Sequence, residues 1–471
     1  MDYSAFEDTI AAPATIPGTG AITVIRLSGP NALEIAGNIV KCKSKSIEAS
    51  DANSIRYGIV TREDGSIVDE VLVSVFKAPH SYTGEDSVEI SCHASSYVAS
   101  EILRLLCDSG ARMAEPGEFT RRAFVNGKMD LAQAEAVADV ISSSSSASLK
   151  VAMNQLRGGF STELKDIRER LLEIASLLEL ELDFSEEDVE FADRAQLSEL
   201  LNDVIKHITS LASSFRQGNA IRNGVPVAIV GAVNAGKSTL LNSLIGDDRA
   251  IVSDIPGTTR DTVEETMTVD GILFRFIDTA GLRESEDEIE RIGISRSLKK
   301  LSEAQIVLAV LDSTDSAEVN ETIINDIVSK INPDEQKLIV LFNKVDILAP
   351  NINVTLLNKD VSNSNSRVVK LYISAKEGFG LDLLKNELVS SQKDLTLDSD
   401  QTIVTNFRHY EALSKAASAL EKVRSSIALG LTPDLLAEDL REALAHLGTI
   451  TGEVTPDEVL GQIFGRFCIG K

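Results

Sequence analysis

The residues with the clearest chemical meaning are the octapeptide at 231–238, Gly-Ala-Val-Asn-Ala-Gly-Lys-Ser, which matches G-x-x-x-x-G-K-[ST] in full. An apolar run at 225–230 predicts a buried strand before it, and residues 239–245 predict the first turns of a helix after it. A glycine turn between a strand and a helix points backbone N–H groups and the positive end of the helix dipole at one place, where phosphate oxygens bind. Lys237 can reach the β- and γ-phosphates, and the Ser238 hydroxyl can ligate Mg²⁺. The residues expected to contact the nucleotide here are Gly231, Asn234, Ala235, Gly236, Lys237, Ser238 and Thr239.

A second predicted strand, at residues 273–277, leads into Asp278-Thr279-Ala280-Gly281. Asp278 can hold the magnesium shell, and Gly281 lets the backbone approach the γ-phosphate. In many GTPases a glutamine follows this motif and orients the attacking water, but here the position is Leu282, which cannot form that hydrogen bond. The water-positioning group must therefore come from elsewhere, and the charged tract at 283–291 is the nearest source.

The base is indicated by a third strand, at residues 337–342, which runs into Asn343-Lys344-Val345-Asp346. The Asp346 carboxylate can accept two hydrogen bonds from guanine that adenine cannot supply, and left unpaired it would reject ATP. Asn343 would support the base, and the backbone of Ser374, Ala375 and Lys376 would contact its oxygen. An N-K-x-D motif alone is weak, but after a phosphate loop and D-x-x-G the set predicts a GTPase domain.

Two loops around the phosphates suggest how hydrolysis is controlled. The segment Pro-Gly-Thr-Thr-Arg-Asp at 256–261 supplies Thr259, which can meet magnesium and the γ-phosphate when the loop closes. Asn234 is a neutral oxygen donor inside the phosphate loop. With backbone carbonyls of residues 253–258 it could hold a monovalent cation in place of an arginine finger. The alternative, that Asn234 only stabilises the turn, is equally open at this point.

The rest of the chain must supply the elements that position these loops. At 471 residues it is long enough for about two to four domains. Residues 1–125 predict a mixed α/β domain, with strands at 21–27 and 70–76 and an amphipathic helix at 100–108.

Helical periodicity begins at about residue 130 and returns from about residue 406 to the end. We therefore expect a helical domain formed by residues 126–222 and 386–471, with residues 223–385 inserted into it as a GTPase domain. The two ends of an inserted domain must lie close together. The serine run at 142–146 is interpreted as a solvated connection between helices. The acidic residues between 179 and 190 are interpreted as a solvated bend rather than a metal site.

Charge and cysteine content bound the environment and the partners. Seventy-two acidic against forty-six basic residues give a net charge of −26, which opposes binding of a polyanion except through a local basic patch or a partner protein. The four cysteines lack metal-ligand spacing and are too few for a disulfide scaffold. No signal-like or membrane-spanning run is present, so we expect a cytoplasmic protein that does not contact a membrane.

The chain resembles a known family, the tRNA-modification GTPases MnmE (also called TrmE), over essentially its whole length. Besides the GTPase motifs, the resemblance rests on A-P-A-T at 12–15, I-R-L-S-G at 25–29, Y-T-G-E-D at 82–86, P-G-E-F-T-R-R-A-F at 116–124, K-M-D-L at 128–131, G-T-T-R-D at 257–261 and F-C-I-G-K at 467–471. The last segment is highly specific, because few GTPases end in C-I-G-K. The resemblance implies an α/β multidomain protein. Its parts would be an α+β folate-binding and dimerisation domain at the N terminus, an all-α helical domain, and a Ras-like P-loop GTPase domain inserted in the helical domain.

The resemblance also implies an activity. With a flavin-containing MnmG-type partner, in a heterotetramer or larger complex, the chain would place an aminomethyl or carboxymethylaminomethyl group on carbon 5 of the wobble uridine of certain tRNAs. GTP hydrolysis, stimulated by K⁺, would drive pairing of GTPase domains across a homodimer and a conformational change. The implied cofactors are GTP, Mg²⁺, K⁺ and a reduced folate of the 5-formyl- or methylene-tetrahydrofolate type. The alternative is a GTP-controlled switch in ribosome assembly that performs no chemistry of its own; the net acidity favours it, whereas the C-I-G-K tail favours the enzyme.

Site residues follow from matching motif positions to the family. The implied K⁺ ligands are Asn234, Ser253, Ile255 and Thr258, and the implied Mg²⁺ ligands are Ser238 and Thr259. The implied folate contacts are Arg26, Glu89, Lys128 and, from the C terminus, Lys471. The candidate catalytic residues are Glu290, which would position the water, Arg260 and Cys468. The choice of Glu290 over neighbouring carboxylates depends on the resemblance alone, and Cys468 could instead be an inert core cysteine.

Overall fold

The computed structural model describes residues 7–43, 45–183, 194–232, 234–246, 265–277, 301–332, 336–348, 368–392, 402–429, 431, 433–454, 457–465, 467 and 470. The chain divides into two compact units. One comprises residues 1–141, 154–205 and 415–471, and the other comprises residues 142–153 and 206–414. In chain order the helices of the described ranges are α1 (Ala32–Ile39), α2 (Ser96–Asp108), α3 (Glu118–Val125), α4 (Leu131–Ser142), α5 (Ser146–Leu156), α6 (Gly159–Asp183), α7 (Arg194–Ser213), α8 (Phe215–Asn223), α9 (Lys237–Gly246), α10 (Ala317–Lys330), α11 (Val345–Leu348), α12 (Leu381–Ser390), α13 (Phe407–Ala428), α14 (Pro433–Thr451) and α15 (Asp457–Phe464).

The first unit contains a seven-stranded sheet in the order β3-β4-β5-β6-β2-β1-β7. Its strands are β1 (Ile10–Pro13), β2 (Ile22–Ser28), β3 (Val40–Cys42), β4 (Ser54–Thr61), β5 (Ile67–Phe76), β6 (Ser87–His93) and β7 (Arg112–Met113). Only the β1–β7 pair is parallel. Side chains alternate between the two faces, as in β5, where Val71 and Val73 are buried and Leu72 between them is half exposed. The buried face packs against α1 and α2, which fixes the strand register.

The helices of the first unit pack on each other through apolar stripes. Leu164, Ile167 and Leu171 of α6 are buried at helical spacing, and α6 packs along α14. The C-terminal helix α15 lies against α3 and the start of α4, and Phe464 and Phe467 share a buried cluster with Leu131 of α4. Phe464 and Phe467 are therefore held against the segment that follows the N-terminal sheet.

The second unit contains a six-stranded sheet in the order β13-β12-β11-β8-β10-β9. Its strands are β8 (Val225–Gly231), β9 (Glu265–Val269), β10 (Ile272–Ile277), β11 (Ile306–Asp312), β12 (Lys337–Asn343) and β13 (Val368–Tyr372). All pairs are parallel except β9–β10. Residues 306–311 of β11 are buried without interruption, which is typical of a central strand covered on both faces. The carboxyl ends of β8, β11 and β12 therefore meet at one edge of this sheet, where the register pairs Asp312 with Asn343 and Val310 with Gly231.

The segments before β8 and after α12 lie against each other. The backbone N–H of Val404 donates to the Ser214 hydroxyl at 3.0 Å, and the ring of Phe215 stacks on that of Tyr410 with centroids 4.8 Å apart. A Cβ on Gly218 would lie 2.0 Å from the Val404 carbonyl oxygen, so glycine permits this close approach. The stretch from β8 to α12 is therefore bounded by two neighbouring segments, which is the geometry that an inserted domain requires.

The elements predicted from periodicity are present with shifted ends. The helix predicted at 100–108 begins at Ser96, and the serine run at 142–146 connects α4 to α5 at exposed and half-exposed positions. Residues 184–190 of the acidic set lie outside the described residues. None of the helices in the described ranges combines the length and apolar character that crossing a membrane demands.

Candidate functional site

The phosphate loop connects the end of β8 to the start of α9, and its residue types are required by its geometry. A Cβ on Gly231 would lie 2.1 Å from the Val310 carbonyl oxygen of the neighbouring strand. Asn234 has a φ of 64°, in the left-handed region that asparagine tolerates better than most residues. Gly236, with a φ of 95°, leaves the space that the Asn343 side chain occupies, because a Cβ there would lie 2.3 Å from Asn343 Nδ2. The turn therefore brings α9 to begin directly at the loop.

Lys237 is folded back over its own loop. Its Nζ donates to the carbonyl oxygens of Gly231 at 3.0 Å and Ala232 at 2.8 Å. Burial lowers the pKa of the Lys237 ammonium, because the charged form loses solvation. Ser238 and Thr239 are exposed in the first turn of α9. A single cation and the N-terminal turn of a helix thus converge at this loop, an arrangement suited to phosphate oxygens.

Asn343, at the end of β12, joins three loops. Its Nδ2 donates to the Ala235 carbonyl oxygen at 2.9 Å, and its Oδ1 accepts from the Ala375 backbone N–H at 2.9 Å. The side chain is 2% exposed. The Ser243 hydroxyl of α9 in turn donates to the Ala375 carbonyl oxygen at 2.6 Å. The phosphate loop, the N-K-x-D segment and the 374–376 loop are therefore directly connected, although the sequence suggested only that Asn343 supports a base.

Asp346 is oriented by the same group of loops. The Ser374 hydroxyl donates to Asp346 Oδ1 at 2.6 Å, while the Ser374 backbone N–H donates to the Phe379 carbonyl oxygen at 2.9 Å. Ser374 is fully buried, so its hydroxyl direction is set by its surroundings. The half-buried Asp346 carboxylate is held with one oxygen bonded, as a planar acceptor for paired N–H donors would need.

Asp312, which sequence reasoning missed, lies next to Lys344. Lys344 Nζ donates to Asp312 Oδ2 at 2.6 Å, and Asp312 Oδ1 accepts from Thr314 N at 3.0 Å and from Thr314 Oγ1 at 2.7 Å. Burial raises the pKa of the Asp312 carboxyl, but the hydrogen bonds from Lys344 and Thr314 outweigh it and hold that pKa below its ordinary value. The only sequence indication was its position as the last residue of an apolar strand.

The first unit has a second group of candidate residues, centred on Arg26 of β2. Arg26 and Glu89 are opposite each other in the β2–β6 register and form an ion pair with a shortest distance of 2.8 Å. The guanidinium carbon lies 5.4 Å from the centroid of the Tyr82 ring and 5.7 Å from that of Phe119. The Tyr82 and Thr120 hydroxyls are 2.9 Å apart and hydrogen bonded. Arg26 is thus held by a carboxylate and two aromatic faces.

The other predicted residues of this group are placed less directly. The exposed Lys128 donates from Nζ to the Pro79 carbonyl oxygen at 2.9 Å. Gly470 is buried, and a Cβ on it would lie 2.0 Å from the carbonyl oxygen of Pro13, the last residue of β1. Ala12 of β1 pairs with Arg26 in the β1–β2 register, so the C-terminal tail reaches the strand beside Arg26.

An ionic cluster around buried Arg122 connects the segments that carry Tyr82 and Phe119. The guanidinium of Arg122 is fully buried and donates to Asp8, Glu85 and Glu118. Burial raises the pKa of the Glu118 carboxyl, but hydrogen bonds from Arg112, the Glu115 N–H and Arg122 outweigh it and lower that pKa. The cluster ties the 82–86 loop to α3, which fixes the positions of both aromatic rings. Sequence reasoning quoted these segments but assigned the cluster no role.

The remaining predicted site residues lie outside the described residues. They are Ser253, Ile255, Thr258, Thr259, Arg260, Asp278, Gly281, Glu290, Cys468 and Lys471.

Comparison with known proteins covers both units. Two family models match: "MnmE helical domain" over residues 131–468 and "GTP-binding protein TrmE N-terminus" over residues 9–128. The chain is 50% identical over 469 residues to the tRNA modification GTPase MnmE of Bacteroides fragilis (strain YCH46), covering 99% of this chain and 100% of that protein. The protein of the same description from Flavobacterium johnsoniae is 50% identical over 467 residues, covering 99% of each chain. Among solved structures, the G domain of the T. maritima FeoB iron transporter is 28% identical and covers 36% of this chain and 99% of that chain, with a TM-score of 0.25.

Proposed function

Because this chain belongs to the MnmE family of tRNA modification GTPases, we propose that it modifies carbon 5 of the wobble uridine of certain tRNAs, together with a flavin-containing MnmG-type partner. Family membership makes the chain a GTP-binding GTP hydrolase that acts in tRNA modification. The observation that carries the nucleotide part of the proposal is the pair of Asn343 hydrogen bonds, which connect the phosphate loop to the 374–376 loop at one edge of the parallel sheet. The tRNA part of the proposal comes from family membership. Because these loops are fixed to each other, binding a nucleotide costs less conformational entropy, which favours tight and selective binding.

The phosphates are assigned to the loop at the start of α9. There the Lys237 ammonium would bind phosphate oxygens in place of the carbonyl oxygens of Gly231 and Ala232. The negative charge of the phosphates would stabilise the ammonium, whose charged form burial disfavours. The exposed Ser238 hydroxyl, with Thr259, would hold Mg²⁺, which supplies neutralisation of the charge that develops on the phosphates. Asp278 is proposed to hold the magnesium shell, and Gly281 to let the backbone approach the γ-phosphate.

Guanine is assigned to Asp346. The Ser374 hydroxyl orients the carboxylate as an acceptor for the base. The N1–H and N2–H₂ groups of guanine complement such a carboxylate, whereas adenine presents no matching pair of donors. The backbone of the 374–376 loop, fixed by Asn343 and Ser243, is proposed to contact the guanine oxygen.

Potassium is assigned to Asn234 with Ser253, Ile255 and Thr258. Asn234 is exposed in the phosphate loop, so its side-chain oxygen belongs to the surface that nucleotide and cation would share. The ion would contribute positive charge where other GTPases use an arginine finger. In this proposal Glu290 positions the attacking water, Arg260 is a further catalytic residue, and pairing of two GTPase domains in a homodimer completes the site.

A reduced folate is assigned to the surroundings of Arg26. The residues fit such a ligand, because the partly exposed Arg26 guanidinium and the partly exposed Glu89 carboxylate offer the donors and the acceptor that a pterin ring requires, and the partly exposed Tyr82 ring lies beside them. The folate would supply a one-carbon unit. Lys471 follows Gly470, which lies against Pro13, so Lys471 and Lys128 are proposed to bind the acidic part of the ligand and Cys468 to act near it. Because the chain has a net charge of −26, we assign tRNA binding chiefly to the partner protein. We propose that the complex acts in the cytoplasm.

Binding of 5-formyl-tetrahydrofolate to the full chain tests the assignment and separates it from the switch in ribosome assembly. We expect calorimetric binding that Arg26→Met weakens by at least about 10-fold, because a charge-assisted partner is lost. The matched control is Arg104→Met, an exposed arginine of α2 paired with Glu101 and Asp108, which should bind within about twofold of the wild type. Absence of binding at millimolar ligand, together with wobble nucleosides in cells that lack the chain that are the same as in wild-type cells, would favour the switch.

A further inference from the structure

The end of strand β11 lies between the phosphate loop and the N-K-x-D segment. Val310 of β11 is in contact distance of Gly231, and two residues later Asp312 pairs in register with Asn343. Lys344 then crosses from the end of β12 to the end of β11, where its ammonium meets the Asp312 carboxylate at 2.6 Å. The Lys344 side chain therefore spans the same edge of the sheet that a nucleotide must cover if its phosphates lie at Gly231 and its base lies at Asp346.

Hydrogen bonds from neighbouring described residues fix both the backbone and the carboxylate of Asp312. Thr314 donates twice to Oδ1, and the buried Asn320 donates from Nδ2 to the Asp312 carbonyl oxygen at 3.2 Å. The Ser313 N–H donates to the Asn343 carbonyl oxygen at 2.9 Å, which locks the two strand ends together. The position of Oδ2, the oxygen that receives Lys344, is thus determined by the sheet and not by the lysine.

Lys344 itself is in a conformation that needs support. Its φ is 65°, in the left-handed region that is unfavourable for a residue with a long side chain. A free lysine side chain also has large rotamer entropy, which is lost when the chain is held in one position. The ion pair with Asp312 removes much of that freedom.

We propose that Asp312 is a positioning residue for guanine nucleotides. It fixes Lys344 across the edge of the sheet, so that the lysine methylene chain forms a floor, that is, a fixed apolar surface under the nucleotide between the phosphate loop and Asp346. Asp312 does not touch the nucleotide and acts through Lys344. The inference rests on the guanine site proposed above. Its consequence is kinetic, because a floor that is formed in advance slows the escape of bound nucleotide more than it changes the rate of encounter.

The test measures dissociation of a fluorescent GDP from the full chain by stopped flow. Asp312→Asn preserves the shape and an acceptor for Thr314 but cannot hold the ammonium. We expect it to raise the dissociation rate about 10-fold while the association rate stays within about twofold. The matched control is Asp315→Asn, the same charge change at an exposed position three residues on, which should leave both rates unchanged.

A double-mutant cycle separates positioning from a purely structural role. If Asp312 acts through Lys344, Lys344→Met should raise the dissociation rate by a similar factor, and adding Asp312→Asn to it should change the rate no further. If Asp312→Asn raises the dissociation rate by the same factor in the wild-type and Lys344→Met backgrounds, the proposal is overturned. Should Asp312→Asn fail to fold, Thr314→Val, which removes an exposed donor to Asp312, must raise the rate in the wild type and not in Lys344→Met.

The outcome also distinguishes this inference from the guanine site on which it rests. Asp346→Asn should abolish the preference for GDP over ADP whether or not Asp312 acts as proposed. If that preference is lost in Asp346→Asn but Asp312→Asn dissociates at the wild-type rate, only the positioning role fails. If the wild-type chain shows no preference for GDP over ADP, the guanine site itself fails.

Discussion

Replacing Asn343 by alanine would break the joint between the phosphate loop and the 374–376 loop. The side chain is almost fully buried and makes two hydrogen bonds of 2.9 Å, one to the Ala235 carbonyl oxygen and one from the Ala375 N–H. Alanine leaves both backbone groups without that partner. The strands themselves are unaffected, because β11 and β12 remain paired along their whole length.

The expected magnitude follows from those two groups. A buried backbone donor or acceptor that loses its partner costs about 1–3 kcal/mol, so two cost about 2–6 kcal/mol. Loops at the edge of a sheet can admit water, which favours the lower half of that range, about 2–4 kcal/mol. Since nucleotide binding has to restore the loop geometry, we expect this loss in affinity, as a rise of about 30- to 700-fold in the Kd for GDP.

The matched control is Gln336→Ala at the opposite end of β12. Gln336 is 6% exposed and donates to the carbonyl oxygens of Leu301 and Ala304, both at 2.7 Å. Its loss breaks these two buried amide hydrogen bonds and a third that Gln336 Oε1 accepts from the Asn332 N–H at 2.8 Å, all at the end of β12 away from the loops. It should lower the stability of the unit and leave the Kd for GDP within about threefold. The chain contains no tryptophan, so unfolding is followed by circular dichroism and GDP affinity by calorimetry.

Two results would refute the reasoning. The first is an Asn343→Ala protein that binds GDP within about threefold of the wild type, since the joint would then be unnecessary. The second is a Gln336→Ala protein that loses as much affinity as Asn343→Ala. That result would assign the effect to general destabilisation of the sheet.

Two further predictions concern the cation and the ionic cluster. GTP hydrolysis should be faster in K⁺ than in Na⁺. Asn234→Gly can adopt the φ of 64° without strain but lacks the side-chain oxygen, so this variant should lose most of the difference between the two salts. An unchanged response to K⁺ would mean that Asn234 only stabilises the turn. Arg122→Met should destabilise the first unit by about 3–5 kcal/mol at pH 7 in urea unfolding, because the buried Glu118 and the largely buried Glu85 lose a cation. The control is Arg104→Met, which removes a half-exposed arginine paired with Glu101 and Asp108 and should cost about 1 kcal/mol or less. The pKa values of Asp8 and Glu118 are lowered in the folded protein, so their contribution is present above the unfolded values of about 4 and is lost as pH falls through the folded values. The difference between Arg122→Met and the wild type should therefore shrink below about pH 4, and a difference that stays constant at acid pH would contradict the ionic origin.

Local sequence pattern was sufficient to predict the strands and the helix that flank the GTPase motifs in the second unit. The strand, glycine turn and helix around residues 231–238 were predicted from adjacent residues and are found as β8, the phosphate loop and α9. The strands predicted at 273–277 and 337–342 are found as β10 and β12. In each case the determining interactions are hydrogen bonds and side-chain burial within a short segment, so periodicity and turn chemistry report on them. Element ends shifted by a few residues, as with α2, because end positions depend on what the terminal turns contact.

The sequence by itself therefore determined which short segments could bind phosphate and guanine. Only the tertiary structure decided how they are held. Asn343 meets the phosphate loop across 108 residues, Lys344 meets Asp312 across 32, and Arg122 meets Asp8 across 114. These partners are brought together by strand order and register, which arise from burial of whole sheet faces and not from any local pattern. That is why Asp312 could not be recognised until β11 and β12 were seen to end side by side.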